Sequence, residues 1–157
     1  MSADPYEIAA EALLRESGCT VRKWRTRNSG RAYVRAPDWG IEVPHPRGPV
    51  SFATFAHEVG HQLLHRDKRR PRYREEVEAW EFALAQFERF GLAGRARAEA
   101  DAAKSIWYAF AKAMRRSKRL AESLPLEFPL WWERAQDFEA VALARPSMSQ
   151  ERRELDQ

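Results

Sequence analysis

Apolar residues recur at three- and four-residue spacing through most of this chain, the period of helices that bury one face. Ile8, Ala12 and Leu13 follow Asp4-Pro5 and Glu7. A first helix therefore starts with Asp4 as its N-cap and Pro5 at its first position, and Gly18 closes it. The period then changes. Residues 20–25, 31–36 and 39–43 carry Val21, Trp24, Tyr33, Val34, Trp39, Ile41 and Val43, punctuated by Asn28-Ser29-Gly30 and Pro37-Asp38. These segments predict about three strands in a small, mostly antiparallel sheet.

The helical period returns after a loop from Pro44 to Pro49. Ser51 is expected to cap the next helix, and a basic loop from Arg66 to Arg72 follows it. Further helices are expected over 74–90, closed by Gly91 and Gly94, over 97–123, ended ahead of Pro125, and from Pro129 to Ala144. The pattern belongs to the α+β class, a small sheet packed by helices. It reads as one domain over residues 1–145 with a polar, fraying tail at 146–157.

Composition narrows the setting. The 157 residues are 44% hydrophobic, enough for a real core. The lone Cys19 cannot form an internal disulfide. No stretch reads as a signal peptide, and no apolar run is long enough to cross a bilayer, so a cytoplasmic protein without a membrane partner is expected. The net charge of +4 leans mildly toward acidic partners and is too small to establish nucleic-acid binding.

Three of the four histidines lie in one stretch, FAHEVGHQLLH, residues 55–65. With His57 at zero on a helical wheel, His61 falls at about 40°, His65 at about 80° and Glu58 at about 100°. Phe52, Phe55, Ala56, Val59 and Leu63 take the far arc, from about 160° to about 260°. The two faces separate. His57 and His61 are one turn apart, so both imidazoles can reach one ion, and Glu58 beside them can take a proton from a water on that ion. The same pattern arises by chance on ordinary buried helices. The helix phase, the preceding cap, and Gly60, which lets another element come close, favour a metal site. His65 continues the row. Three ligands in one row do not readily form three corners of a tetrahedron, so His65 is expected beside the site or facing solvent. His45, in the proline-rich loop, is expected to be structural or exposed.

A catalytic zinc takes three protein ligands and keeps one open position. The stretch YREEVEAWEFALAQF, residues 73–87, offers four glutamates. With Val77 at zero, Trp80, Ala83, Leu84, Phe87 and Phe90 span about 220° to about 340°. Glu76 falls inside that arc at about 260°, whereas Glu75, Glu78 and Glu81 fall outside it. A carboxylate aimed at a core needs a partner. A metal shared with His57 and His61 supplies one; an arginine is the competing partner.

These two stretches resemble the ImmA/IrrE metallopeptidases, zincins with a glutamate as an additional ligand. Members show His-Glu-x-x-His with a Leu-His after it, then Glu-x-Glu-Ala-Asn-x-Phe-Ala, which here reads Glu76-Val77-Glu78-Ala79-Trp80-Glu81-Phe82-Ala83. The resemblance covers residues 50–90. It implies a zincin-like fold, Zn2+ held by His57, His61 and Glu76, and Glu58 as general base. It also implies a single protein substrate, a DNA-binding repressor of the kind found in phage, mobile-element and stress regulation. No helix-turn-helix segment is visible, so that partner is a separate chain. Two departures stand out. Trp80 replaces the asparagine, and the hydrophobic-Met-Pro ending after Phe-Ala is absent.

The oxyanion donor is left open among Tyr73, Tyr33, His45 and His65. The basic loop reads as solvated surface or as a dock for acidic substrate or nucleic acid. Phe128, Trp131, Trp132 and Phe138 read as caps on the core. A catalytically silent, zincin-like binding protein, possibly on nucleic acid, is the alternative to a peptidase.

Overall fold

Asp4 caps helix α1 (Pro5–Ser17), accepting from the backbone N–H of Tyr6 at 2.7 Å and of Glu7 at 3.4 Å, and Gly18 ends it in the left-handed region at φ 68°. The structure, a computed structural model, describes residues 3–144, with side chains through residue 137. The polar tail at 146–157 and the Phe138 side chain lie outside the described residues. Among the described residues, six helices and one small sheet give the α+β class.

The sheet holds β1 (Val21–Arg25), β2 (Arg31–Tyr33) and β3 (Gly40–Pro44) in the order β1-β3-β2. β3 pairs antiparallel with β2 and parallel with β1, so the sheet is mixed instead of mostly antiparallel. Burial explains the order. β3 carries Ile41 and Val43, both fully buried, and takes the centre, whereas β1 exposes its middle three residues and takes an edge. Alternation along a strand identifies the strand but not its neighbour.

Helix α2 (Pro49–His65) lies on this sheet. Its cap differs from expectation by three residues. Gly48 is the N-cap residue, and Ser51, one turn inside, accepts from the N–H of Gly48 at 3.1 Å and of Arg47 at 3.0 Å. Phe52, Phe55, Ala56 and Val59 are fully buried, as the wheel requires, but Leu63 is exposed.

Helix α3 (Arg72–Arg89) starts two residues before the expected boundary and packs along α2. A Cβ at Gly60 would stand 3.0 Å from the Phe82 ring and 3.2 Å from the Ala79 carbonyl oxygen. The glycine is what lets the two backbones approach this closely.

The chain divides into two compact units, the first ending at Ala102 and the second starting at Ala103, with α4 (Arg95–Arg116) running across the division. The single helix expected over 97–123 is instead two: α4, then α5 (Leu120–Glu127) with Pro125 inside it. Four cations, Arg115, Arg116, Lys118 and Arg119, mark the break, and the negative end of a helix dipole favours such charges. Helix α6 (Pro129–Ala144) matches its expected bounds. In the second unit, Ile106, Phe110, Leu124 and Trp131 are buried, and Phe128 stacks on Phe110 at 5.8 Å. Among the described residues no helix is long and apolar enough to cross a membrane.

Candidate metal centre

The row His57, His61, His65 on α2 faces the glutamates of the first turns of α3. His57 Nε2 lies 3.1 Å from Glu76 Oε2, and His61 Nε2 lies 3.1 Å from Glu76 Oε1. All three side chains are buried, and their ligand atoms lie within 4.8 Å of one another, close enough to hold a metal ion. Each histidine–Glu76 gap is near the ~3.3 Å that a tetrahedral ion with bonds of ~2.0–2.1 Å sets between two ligand atoms, and the two gaps run to different oxygens of Glu76. The arginine expected as a competing partner is also there. Arg72 Nη2 is 2.9 Å from Glu76 Oε1, so one oxygen serves both His61 and Arg72.

Each of the two histidines that face Glu76 is oriented by its other ring nitrogen. His57 Nδ1–H donates to Glu58 Oε1 at 3.1 Å, and its ring stacks on Trp80 at 4.3 Å. His61 Nδ1 meets His65 Nδ1 at 2.9 Å, and His65 Nε2 meets Glu78 Oε2 at 3.3 Å. Arg70 holds Glu78 in turn, at 2.9 and 3.1 Å to its two oxygens. Trp80 is buried, as expected, and its indole Nε1–H has no partner among the described residues.

Counting protons supports a cation at this centre. Three short contacts run through His61 and His65: Glu76 to His61, His61 to His65, and His65 to Glu78. Two neutral imidazoles bring only two N–H protons to them. A third proton would have to charge one ring, and both burial and the neighbouring His61 push His65 below the ordinary histidine range. A positive charge between His61 and Glu76 completes the count, and a metal ion held by the two is one source of it. His61 then donates through Nδ1, and His65 through Nε2.

His57 holds its proton differently. Burial alone would strip it, but Glu58 and Glu76 outweigh burial and raise its pKa to about 9. Burial also opposes the charge on Glu76, yet hydrogen bonds from His57 and His61 keep it well below the usual carboxylate range. Metal binding must therefore displace the His57 proton. From pH 7 to 8.5 the apparent zinc affinity, measured by chelator competition, should climb about tenfold per unit and then level off near pH 9. A flat profile would show that the metal-free His57 is neutral. The stability of the metal-free fold runs the other way. The raised His57 pKa adds stability fully below about pH 6.5, and that stability is lost as pH rises through about 9. The lowered Glu76 pKa adds stability above the ordinary carboxylate range, and it is lost in acid.

The centre opens on a cleft of about 200 Å³ lined by Gly30, Arg31, Ala32 and Val34 of the β2 segment, by Glu58 and His61, and by Arg72. Gly30 presses on the acid, for a Cβ there would stand 2.6 Å from Glu58 Cγ. None of the four candidate oxyanion donors lines this cleft. The Tyr33 hydroxyl donates to Glu42. His45 is exposed and stacked on Trp24 at 4.5 Å. His65 is fully buried, not solvent-facing.

Wheel phase missed the partners of His65. Glu75, placed outside the core arc, is buried with Oε2 3.7 Å from His65 Nδ1, and Glu78 sits on the opposite nitrogen. His61, His65 and Glu75 form a second group close enough to hold an ion. The signal available was the third histidine itself, which continues the row by one turn and needs partners as the first two do. Comparison with protein-family models, with curated proteins and with solved structures gives no match.

Proposed function

We propose that this chain is a zinc-dependent endopeptidase of the ImmA/IrrE-like, zincin type, acting on a specific regulatory protein. One observation carries the proposal. Two buried histidines one turn apart share a carboxylate from the next helix, and a second carboxylate, Glu58, borders the cleft beside them. His57, His61 and Glu76 would hold the ion. Zinc, when bound, polarises a scissile carbonyl and lowers the pKa of a coordinated water toward ~7. Glu58 takes the proton from the attacking water and passes it to the leaving amine. Trp80 covers one face of His57 and keeps water from that side. β2 is an edge strand along the cleft, so an extended substrate segment can add to it.

A DNA-binding repressor on a separate chain is the proposed target, by resemblance. Lys68 and Arg69, in the loop between α2 and α3, provide surface charge for docking, whereas Arg70 and Arg72 are committed to Glu78 and Glu76. The test is cleavage of one repressor at one site by the zinc-loaded chain, lost with a chelator and regained with zinc. Fast cleavage of casein would remove the specific-target reading. The second reading, a silent binding protein, is favoured by residues 21–36, which hold six Lys and Arg and no acid alongside Trp24 and Tyr33. Tight, salt-dependent binding of single-stranded nucleic acid with no proteolysis would establish it.

A further inference from the structure

The histidine row on α2 continues past the first metal position, and its last member, His65, is the most deeply buried of the three. We propose that His61, His65 and Glu75 form a second metal position, which takes a zinc-like divalent ion at the two Nδ1 atoms and competes with the first position for His61.

The positive charge that the proton count calls for is accommodated equally well on the other side of the His61 ring. With each neutral ring carrying its proton on Nε2, His61 donates to Glu76 Oε1 at 3.1 Å and His65 donates to Glu78 Oε2 at 3.3 Å. Both Nδ1 atoms are then bare lone pairs, and they face each other at 2.9 Å. Two lone pairs at that distance need a cation between them. Glu75 Oε2 lies 3.7 Å from His65 Nδ1, and the three residues offer ligand atoms within 4.8 Å of one another. The gaps of 2.9 and 3.7 Å bracket the ~3.3 Å that a tetrahedral ion sets between two ligand atoms.

The surroundings suit a ligand set. A ligating histidine hands its other N–H to a carboxylate, and here both rings do. Those carboxylates are fixed in turn, Glu78 by Arg70 at 2.9 and 3.1 Å and Glu76 by Arg72 at 2.9 Å. Neither His65 nor Glu75 lines the cleft that Glu58 borders, so an ion held here has no base beside it. A neutral His61 ring has one lone pair and serves one ion at a time. The 3.7 Å gap is wider than either gap at the first position, which makes the second the weaker of the two.

The experiment uses the full chain with spin-active nitrogen in its histidine rings, loaded with a spin-active cadmium isotope in place of zinc. Coupling between metal and nitrogen reports which ring atom holds the ion. In His57→Ala, which removes a ligand of the first position alone, coupling should fall on Nδ1 of both His61 and His65, with both Nε2–H protons retained. Glu75→Gln added to that variant should weaken cadmium binding by at least about tenfold. Glu76→Gln is a second route to the same state, because its amide oxygen still accepts from the His61 Nε2–H. Coupling to Nε2 of His61 in either variant overturns the second position, and so does failure of both variants to bind the ion. In the wild-type chain the tighter position fills first, with coupling on Nε2 of His57 and His61. Wild-type coupling confined to the Nδ1 pair would keep the second position and remove the peptidase reading, since no ion would then stand beside Glu58.

Discussion

Glu58→Gln should leave the zinc in place and slow hydrolysis by on the order of a hundredfold or more, the usual size of a general-base effect. The substitution keeps the outline of the side chain and an oxygen that can still accept from His57 Nδ1–H, now 3.1 Å from the carboxylate. What disappears is the charge and the capacity to take a proton. Loss of charge on that hydrogen bond costs about 1 kcal/mol, roughly fivefold in metal affinity. Rate and affinity therefore separate. Single-turnover cleavage with metal content measured on the same sample checks this. Unchanged biological activity in the variant would establish the binding-protein reading instead.

Glu76→Ala should have the largest effect on the metal, lowering zinc affinity by at least about a hundredfold. This carboxylate spans the two histidines with one oxygen each, whereas Glu58 meets only His57 and Glu75 groups only with His61 and His65. Its removal also deprives the His57 imidazolium of one of its two carboxylates and Arg72 of its partner. The metal-free fold should lose on the order of 3 kcal/mol at pH 6, where that imidazolium is present. Glu81, which is exposed, serves as the control. Glu78→Ala should cost about tenfold, because Glu78 acts only through His65 on His61. Equal zinc retention by the Glu76, Glu78 and Glu81 variants would reject the ligand set.

The arrangement of these groups was legible where one helix settles it. The phase of His57 and His61 against Phe52, Phe55 and Val59 is a property of α2 alone, and the phase of Glu76 against Val77 and Phe87 is a property of α3 alone. Features that depend on two elements meeting were not legible. His65 and Glu75 lie off their core arcs, yet the close approach of α2 and α3 at Gly60 buries both. Arg72 reaches Glu76 because α3 begins at residue 72; a start at 74 would leave that arginine in the loop. The sheet order likewise depends on which strand has a neighbour on each side, and alternation within a strand does not carry that information.

Gly30 has a mechanical consequence. Glu58 lines the cleft with Oε1 against the His57 ring, and in the proposed reaction its carboxylate turns between the attacking water and the leaving amine. A Cβ at position 30 would lie 2.6 Å from the Glu58 Cγ and 3.0 Å from its Oε1, inside the volume through which the acid turns. The bare backbone at Gly30 is thus the clearance around a moving part, and the turn beside β2 sets how far that part can swing. Anything that presses this turn inward would act as a brake on the acid while leaving His57, His61 and Glu76 in place.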